Sequence, residues 1–475
     1  MNLPALRSLH RTFLPLIAVV LILASCKKDD PAPSNSDTYV NDWILENMQY
    51  WYLWNDQLPT ATNKNQSPED YFETLLAPED RFSWIQDNYQ DLLNSLQGIT
   101  REAGFEFVLY RETEGSSNVI AQILYIKPGS PAETAGLKRG DVITHINNQQ
   151  ITVDNYRTLI DAMGESYTVQ YKKLLIENEG FGESQSLTLN PVEYHENPNF
   201  YHSIIEDGDH KIGYYVYNFF TGGTEDNVSQ YDDEMDAVFQ EFKSAGITDL
   251  VVDLRFNSGG SETSANNLAS LIGSDVNNTK IFFKREYNDK IKDEILADPN
   301  AGEAFLTSKF INKGANLGGQ LNSGRVYILT SSRTASASEL VINALKPYMD
   351  VFLIGDVTYG KNVGSISIYE ENDAKNKWGM QPIIVKAYNS LGHSDYADGF
   401  TPNVLNEDNS SLIYPIGDVR EALLRDAIGQ ITGTATSGRD REPGDRKTLV
   451  GHSLDMRGRS YNLIVETPPI KKIIQ

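Results

Sequence analysis

Three short stretches of this chain hold residue types that do covalent chemistry when brought together. The first, residues 326–349, reads VYILTSSRTASASELVINALKPYM: an apolar strand, a small hydroxyl-rich turn, then an amphipathic helix. A serine on such a turn sits at a helix N-terminus, where backbone N–H groups lack intrahelical partners and the dipole is positive, so a developing oxyanion is stabilised there. Ser336 is the candidate nucleophile, and its neighbours Ala335 and Ala337 are small enough for a substrate backbone to approach. Ser336-Ala337-Ser338-Glu339 is equally a capping box, in which the hydroxyl only bonds the N–H three residues on. The second stretch, Thr358-Tyr359-Gly360-Lys361-Asn362, puts a lysine in a glycine turn. Such a lysine is ordinarily a solvated charge, and it becomes a base near neutral pH only when a dry pocket lowers its pKa by several units. The third, residues 249–260 (DLVVDLRFNSGG), is an apolar strand ending in Gly259-Gly260. Glycines there let the main chain approach a ligand and present N–H groups to it, or serve only a tight turn.

Taken together the three stretches resemble the C-terminal processing (tail-specific) peptidases, a serine–lysine family with a ClpP/crotonase-like core. The family's serine lies in a segment like residues 334–339 and its lysine follows 25 residues later in a Gly-Lys turn, the spacing of Ser336 and Lys361. The resemblance implies that Ser336 is the nucleophile, Lys361 the general base, and that N–H groups of Ala337 and of Gly259 or Gly260 hold the oxyanion. Residues 398–403 (DGFTPN) resemble the family's closing Gly-x-x-Pro-Asp element, with Asn403 in place of the aspartate. One departure stands: many members carry a glutamine four residues after the lysine, and here that position is Ser365, a possible variant third member. His393, in a polar loop after the serine, offers a weaker Ser-His-Asp alternative.

The elements that must position these residues read as a multidomain α+β chain. Near-3.6 spacing of Trp43, Ile44, Met48, Trp51 and Tyr52 predicts a helical N-terminal domain over 38–97. Short strands and glycine turns fill 98–193, and Ser130-Pro131-Ala132, Ala135-Gly136-Leu137 and Gly140-Asp141-Val142-Ile143 resemble a bacterial PDZ domain. In that resemblance Gly104, Phe105, Glu106 and Phe107 form the carboxylate-binding loop, which captures a peptide C-terminus by strand addition. From 200 to 430 strands alternate with helices, as in a layered α/β peptidase core. Residues 431–475 read as a loose C-terminal tail with one late strand at 461–465.

The 475 residues exceed one ordinary core, and 40% hydrophobic with 22% charged is a globular composition. A net charge of −24 without clustered Lys or Arg argues against nucleic-acid partners. Arg7 and Arg11 precede a short apolar run, giving a signal peptide over 1–25. Cys26, the chain's single cysteine, then resembles a lipobox cysteine, the site of lipidation, followed by a flexible tether over 26–37. This implies a lipid anchor in the outer membrane of the cell envelope, facing the surface. Seven scattered histidines and no HExxH give no expectation of a metal, and the serine–lysine chemistry requires no cofactor. The implied activity is a serine endopeptidase acting on proteins or peptides with accessible C-termini. The alternatives are a non-catalytic, lipid-anchored peptide-binding scaffold and an acyl-group enzyme on the same core.

Overall fold

The computed structural model describes residues 35–60, 62–408, 413–434, 447–456, 463–465, 467 and 468. The leader over 1–25, Cys26 and most of the tether lie outside the described residues. The first helix, Asn35–Trp51, takes in the last residues assigned to the tether.

The peptidase-like core is built on a six-stranded sheet in the order Asn199–Asp207, His210–Tyr217, Asp249–Asp253, Arg325–Thr330, Asp350–Gly355, Val404–Leu405. The first pair is antiparallel and the rest are parallel. Parallel strands covered on both faces are apolar throughout rather than alternating, which is why these stretches stand out in the sequence. Successive side chains still face opposite ways. Tyr215, Tyr217, Leu250, Val252 and Ile328 pack with the helices Gln230–Ala245, Glu262–Ile272 and Ala337–Leu345. Tyr214, Val216, Val251, Tyr327 and Leu329 pack on the helix Ala422–Thr432.

A second sheet runs Gly260–Ser261, Leu463–Ile464, Val363–Ser365, Ile383–Tyr388, Ile281–Tyr287, Thr307–Lys309. Its members are the chain just after Gly259 and just after Lys361. The region 38–97 is not wholly helical: Trp84–Gln86 pairs antiparallel with Gly379–Gln381, nearly three hundred residues on. Three residues offer no period to read, and the pairing becomes visible only in three dimensions.

In the PDZ-like region the order is Leu449–His452, Phe105–Arg111, Val119–Ile126, Val142–Ile146, Tyr167–Leu175, Gly180–Leu189. The late strand expected at 461–465 is present as Leu463–Ile464, in the second sheet. The expectation of an otherwise loose tail is corrected for its described residues: Leu449–His452 is a strand on the edge of the PDZ-like sheet, hidden in the sequence because it is short and pairs with residues far away in the chain.

A buried charge knot ties this region to the core. Arg255, 2% exposed, donates to Asp253, Asp408 and Glu421. Arg139 donates to the carbonyls of Tyr414 (2.8 Å) and Leu124 (2.6 Å) and to Glu421. Removing one member of such a network strands a buried charge, at a cost of about 3–5 kcal/mol.

Candidate active site

Ser336 lies where the Arg325–Thr330 strand turns into the Ala337–Leu345 helix, with φ 61° and ψ −110°. A non-glycine residue in this region is strained, and such strain persists only where the surroundings impose it. They do so through hydrogen bonds to the neighbouring strand end. Thr334 Oγ1 donates to Leu254 O (2.9 Å), Ser331 Oγ to Arg255 O (2.6 Å), and Ala335 N–H and Ser338 Oγ to Asn257 O. The Ser336 side chain is fully buried, and its hydroxyl has no hydrogen-bond partner. Glu339 reaches back to the Ser336 N–H at 2.8 Å, as in a capping box.

Glu339 does more than cap. Its Oε1 accepts from Thr358 Oγ1 (2.6 Å) and Gly360 N–H (2.7 Å), and its Oε2 accepts from the N–H groups of Ser336 and Lys361, both at 2.8 Å. One carboxylate thus clamps the serine turn to the lysine turn, and Tyr359 N–H to Thr334 O (3.0 Å) adds a second tie. Burial raises the Glu339 pKa to about 7, against these four donors, which pull it down. Sequence reasoning saw Glu339 only as a helix cap, because the donors that complete the clamp lie about twenty residues further along the chain.

Lys361 is 1% exposed. Desolvation lowers its pKa to about 7, opposed by the charges of Asp80 and Glu339. The N-terminal region supplies the dry cover: Lys361 Nζ lies 4.9 Å from the Phe82 ring centroid, and Arg81 donates to the carbonyls of Gly360 and Ala397. Gly360, at φ 93°, is forced to be glycine, since a Cβ would stand 2.2 Å from Ala397 O. Neither Phe82 nor Arg81 was singled out by sequence.

Of the two turn glycines, Gly259 donates its N–H to Asn257 Oδ1 at 3.0 Å. Gly260 has φ 129°, and a Cβ would meet Phe220 O at 2.0 Å. Ser365 is buried and donates to Gln381 Oε1 at 2.8 Å. A glutamine therefore stands beside this position after all, delivered by the Gly379–Gln381 strand. His393 is exposed, on the polar loop expected of it. Asn403 exchanges hydrogen bonds with the Leu353 backbone, N–H to O and Oδ1 to N–H, both 2.8 Å, and so secures the sheet edge. A cavity of about 720 Å³ opens beside the lysine turn, with Arg81, Phe82, Gly360 and Asn362 in its wall.

The four loop residues of the PDZ-like region are differently engaged. Gly104 O accepts from Lys127 N–H, Phe105 and Phe107 are buried in the domain core, and Glu106 pairs with the buried Lys127. The outer edge of their strand carries Leu449–His452.

Residues 211–405 match the profile of peptidase family S41, residues 39–84 that of the peptidase S41 N-terminal domain, and residues 122–169 that of a PDZ domain. The chain belongs to peptidase family S41. A solved structure from Bacteroides fragilis, described as that of an S41 protease, superposes with a TM-score of 0.69 at 28% identity, covering 83% of this chain and 98% of the other. Among curated proteins, the S41 chain is 24% identical over 373 residues to carboxyl-terminal-processing peptidase 1, chloroplastic, of Arabidopsis thaliana, covering 76% of this chain and 67% of that protein. It is 22% identical over 379 residues to the carboxyl-terminal-processing protease of a Picosynechococcus species, covering 78% and 80%. The fold is thus an S41 N-terminal domain, a PDZ domain and an S41 peptidase core.

Proposed function

We propose that this S41 serine peptidase is an endopeptidase working through Ser336 and Lys361. The observation that carries the reading is the burial of Lys361 on a turn that shares the Glu339 carboxylate with Ser336. A lysine so desolvated is about half in its free-amine form at pH 7, against almost none for an ordinary lysine. Neutral Lys361 takes the Ser336 proton, Oγ attacks the peptide carbonyl, and the N–H groups of Gly260 and Ala337 receive the negative charge on the carbonyl oxygen. The tetrahedral intermediate collapses to an acyl-enzyme, the leaving amine taking the proton from Lys361. Water, deprotonated by the same amine, then releases the acid and restores the serine. Ser365, bonded to Gln381 on the strand that follows the lysine turn, fills the place of a third member. The PDZ domain presents substrate C-termini by strand addition, and Cys26 holds the enzyme by lipid to the outer membrane of the envelope.

Cleavage of casein by the wild-type chain, Ser336→Ala and Lys361→Ala tests the assignment. Loss in both variants with unchanged thermal melting is expected. Equal cleavage by all three discards it. Folded, non-cleaving wild type that binds peptides would point to the scaffold reading.

A further inference from the structure

Two places on this molecule offer an open strand edge to a peptide, and the chain itself lies on both. On the PDZ domain, Leu449–His452 runs antiparallel along Phe105–Arg111, with Leu449 opposite Tyr110 and His452 opposite Val108. Its C-terminal end therefore heads for the Gly104 loop. That edge and that direction are the ones by which strand addition captures a peptide terminus. Here the chain continues instead of ending. The Ser453 hydroxyl takes the Phe107 N–H at 2.9 Å and donates to Glu106. Leu454, 4% exposed, packs between Tyr125 of the PDZ domain and Phe256 of the core. Asp455 grips Arg333, three residues before Ser336, through two bonds of 2.9 Å.

The second place is the cleft. Leu463–Ile464 lies parallel to both Gly260–Ser261 and Val363–Ser365 and joins them into one sheet, with Leu463 opposite Gly260 and Ile464 opposite Ser261 and Ser365. Val465 donates its N–H to Ser365 O at 3.0 Å and is buried. One wall holds the Gly260 donor and the other begins two residues after Lys361. The Leu463–Ile464 strand lies between the chain segments that carry Gly260 and Lys361.

We infer that residues 449–456 and 463–465 are a resident, self-inhibitory occupant of the enzyme's own peptide grooves, and that the cleft takes extended aliphatic segments of substrate in the register of Leu463-Ile464-Val465. This rests on the Ser336/Lys361 reading. The hold is displaceable. Ordering each backbone residue costs about 1–2 kcal/mol, and the cleft strand is two residues long, so its local opening free energy is small. Substrate need only compete with a tethered strand whose effective concentration is of order a millimolar.

The test uses full-length protein. Val465→Pro removes the N–H that bonds Ser365, and Asp455→Ala frees the anchor on Arg333. Both are expected to raise kcat/KM on casein, Val465→Pro by about 10-fold, and a synthetic SYNLIVETP peptide (residues 460–468) at millimolar concentration should reverse the gain. In a Ser336→Ala background, fluorescein-labelled SYNLIVETP should bind the Val465→Pro protein more tightly than the parent, read by anisotropy. Unchanged or lower turnover in both variants with unaltered melting, together with equal peptide binding, overturns the inference by making the segment structural. Should Val465→Pro lose its melting transition, Asp455→Ala decides alone: a rise in turnover upholds the inference and no rise overturns it. Because binding is measured without the serine, failure of the catalytic assignment shows separately, as casein cleavage that survives Ser336→Ala.

Discussion

The backbone N–H groups of Ser336 and Lys361 donate to the same oxygen, Oε2 of Glu339, each at 2.8 Å. The positions proposed as nucleophile and base, 25 residues apart in the chain, are thereby held to one point. Glu339→Gln offers one acceptor oxygen in place of two and turns an NH₂ group toward two of the four donors. Buried donors left unpaired cost about 1–3 kcal/mol each. Turnover should fall by about 10–100-fold, an effect of misplaced groups rather than lost ones, with KM changed far less. Steady-state kinetics beside a urea melt checks both, and a KM effect alone would deny the clamp its positioning role.

Lys361 must be neutral to accept a proton, and its pKa stands at about 7. kcat/KM should therefore rise through about pH 7 and level off above it. Phe82→Ala admits water to the amine, weakens the desolvation and moves that rise toward alkaline pH by about one unit. A pH–rate profile for each protein settles the matter; coincident profiles would remove Phe82 from the account.

The same burial has a thermodynamic sign. The folded lysine titrates near 7 against an ordinary 10.5, so the unfolded chain binds this proton more tightly. The resulting destabilisation is absent above the unfolded value, grows as pH falls toward 7, and is constant below it. Lys361→Met removes that cost. At pH 7 it should stabilise the protein by about 1–4 kcal/mol, while turnover falls by about 10²–10⁴-fold. Denaturant melts at pH 7 and pH 10 should show the gain shrinking at the higher pH.

Gly260→Ala places a methyl at the position 2.0 Å from Phe220 O, on backbone with φ 129° that alanine rarely adopts. Moving the turn to relieve this displaces the Gly260 N–H, one of the two proposed oxyanion donors. Activity should fall by about 10²–10³-fold, the cost of one lost oxyanion donor, and casein turnover at saturation is the direct readout.

Ser365→Ala and Gln381→Ala break the two ends of one 2.8 Å hydrogen bond. If the pair acts as a unit on the lysine turn, the double variant should be no worse than the poorer single one, a coupling of about 0.5–3 kcal/mol in ΔΔG‡. Simple additivity would separate them.

Much of this was readable in advance because its physics is local. The parallel strands around residues 212–217, 249–253 and 326–330 are apolar runs, and Gly360 and Gly260 sit where backbone crowding admits nothing larger. What stayed hidden was long-range. Glu339 looks like a helix cap because its other three donors come from a turn about twenty residues on. Gln381 reaches Ser365 only through a strand whose partner is Trp84–Gln86. The strand at 449–452 is too short to carry a period, and its partner lies more than three hundred residues away; the strand at 463–464 was expected, but its partners around Ser261 and Ser365 were not.

The cover over Lys361 comes from residues 81 and 82, anchored by a strand that pairs with Gly379–Gln381. Loop closure across so long an interval is slow and comes late in folding. A growing or half-folded chain would therefore carry an ordinary protonated amine at position 361. On the Ser336/Lys361 reading, the capacity to cut would arrive only once residues 81 and 82 have docked over the lysine turn.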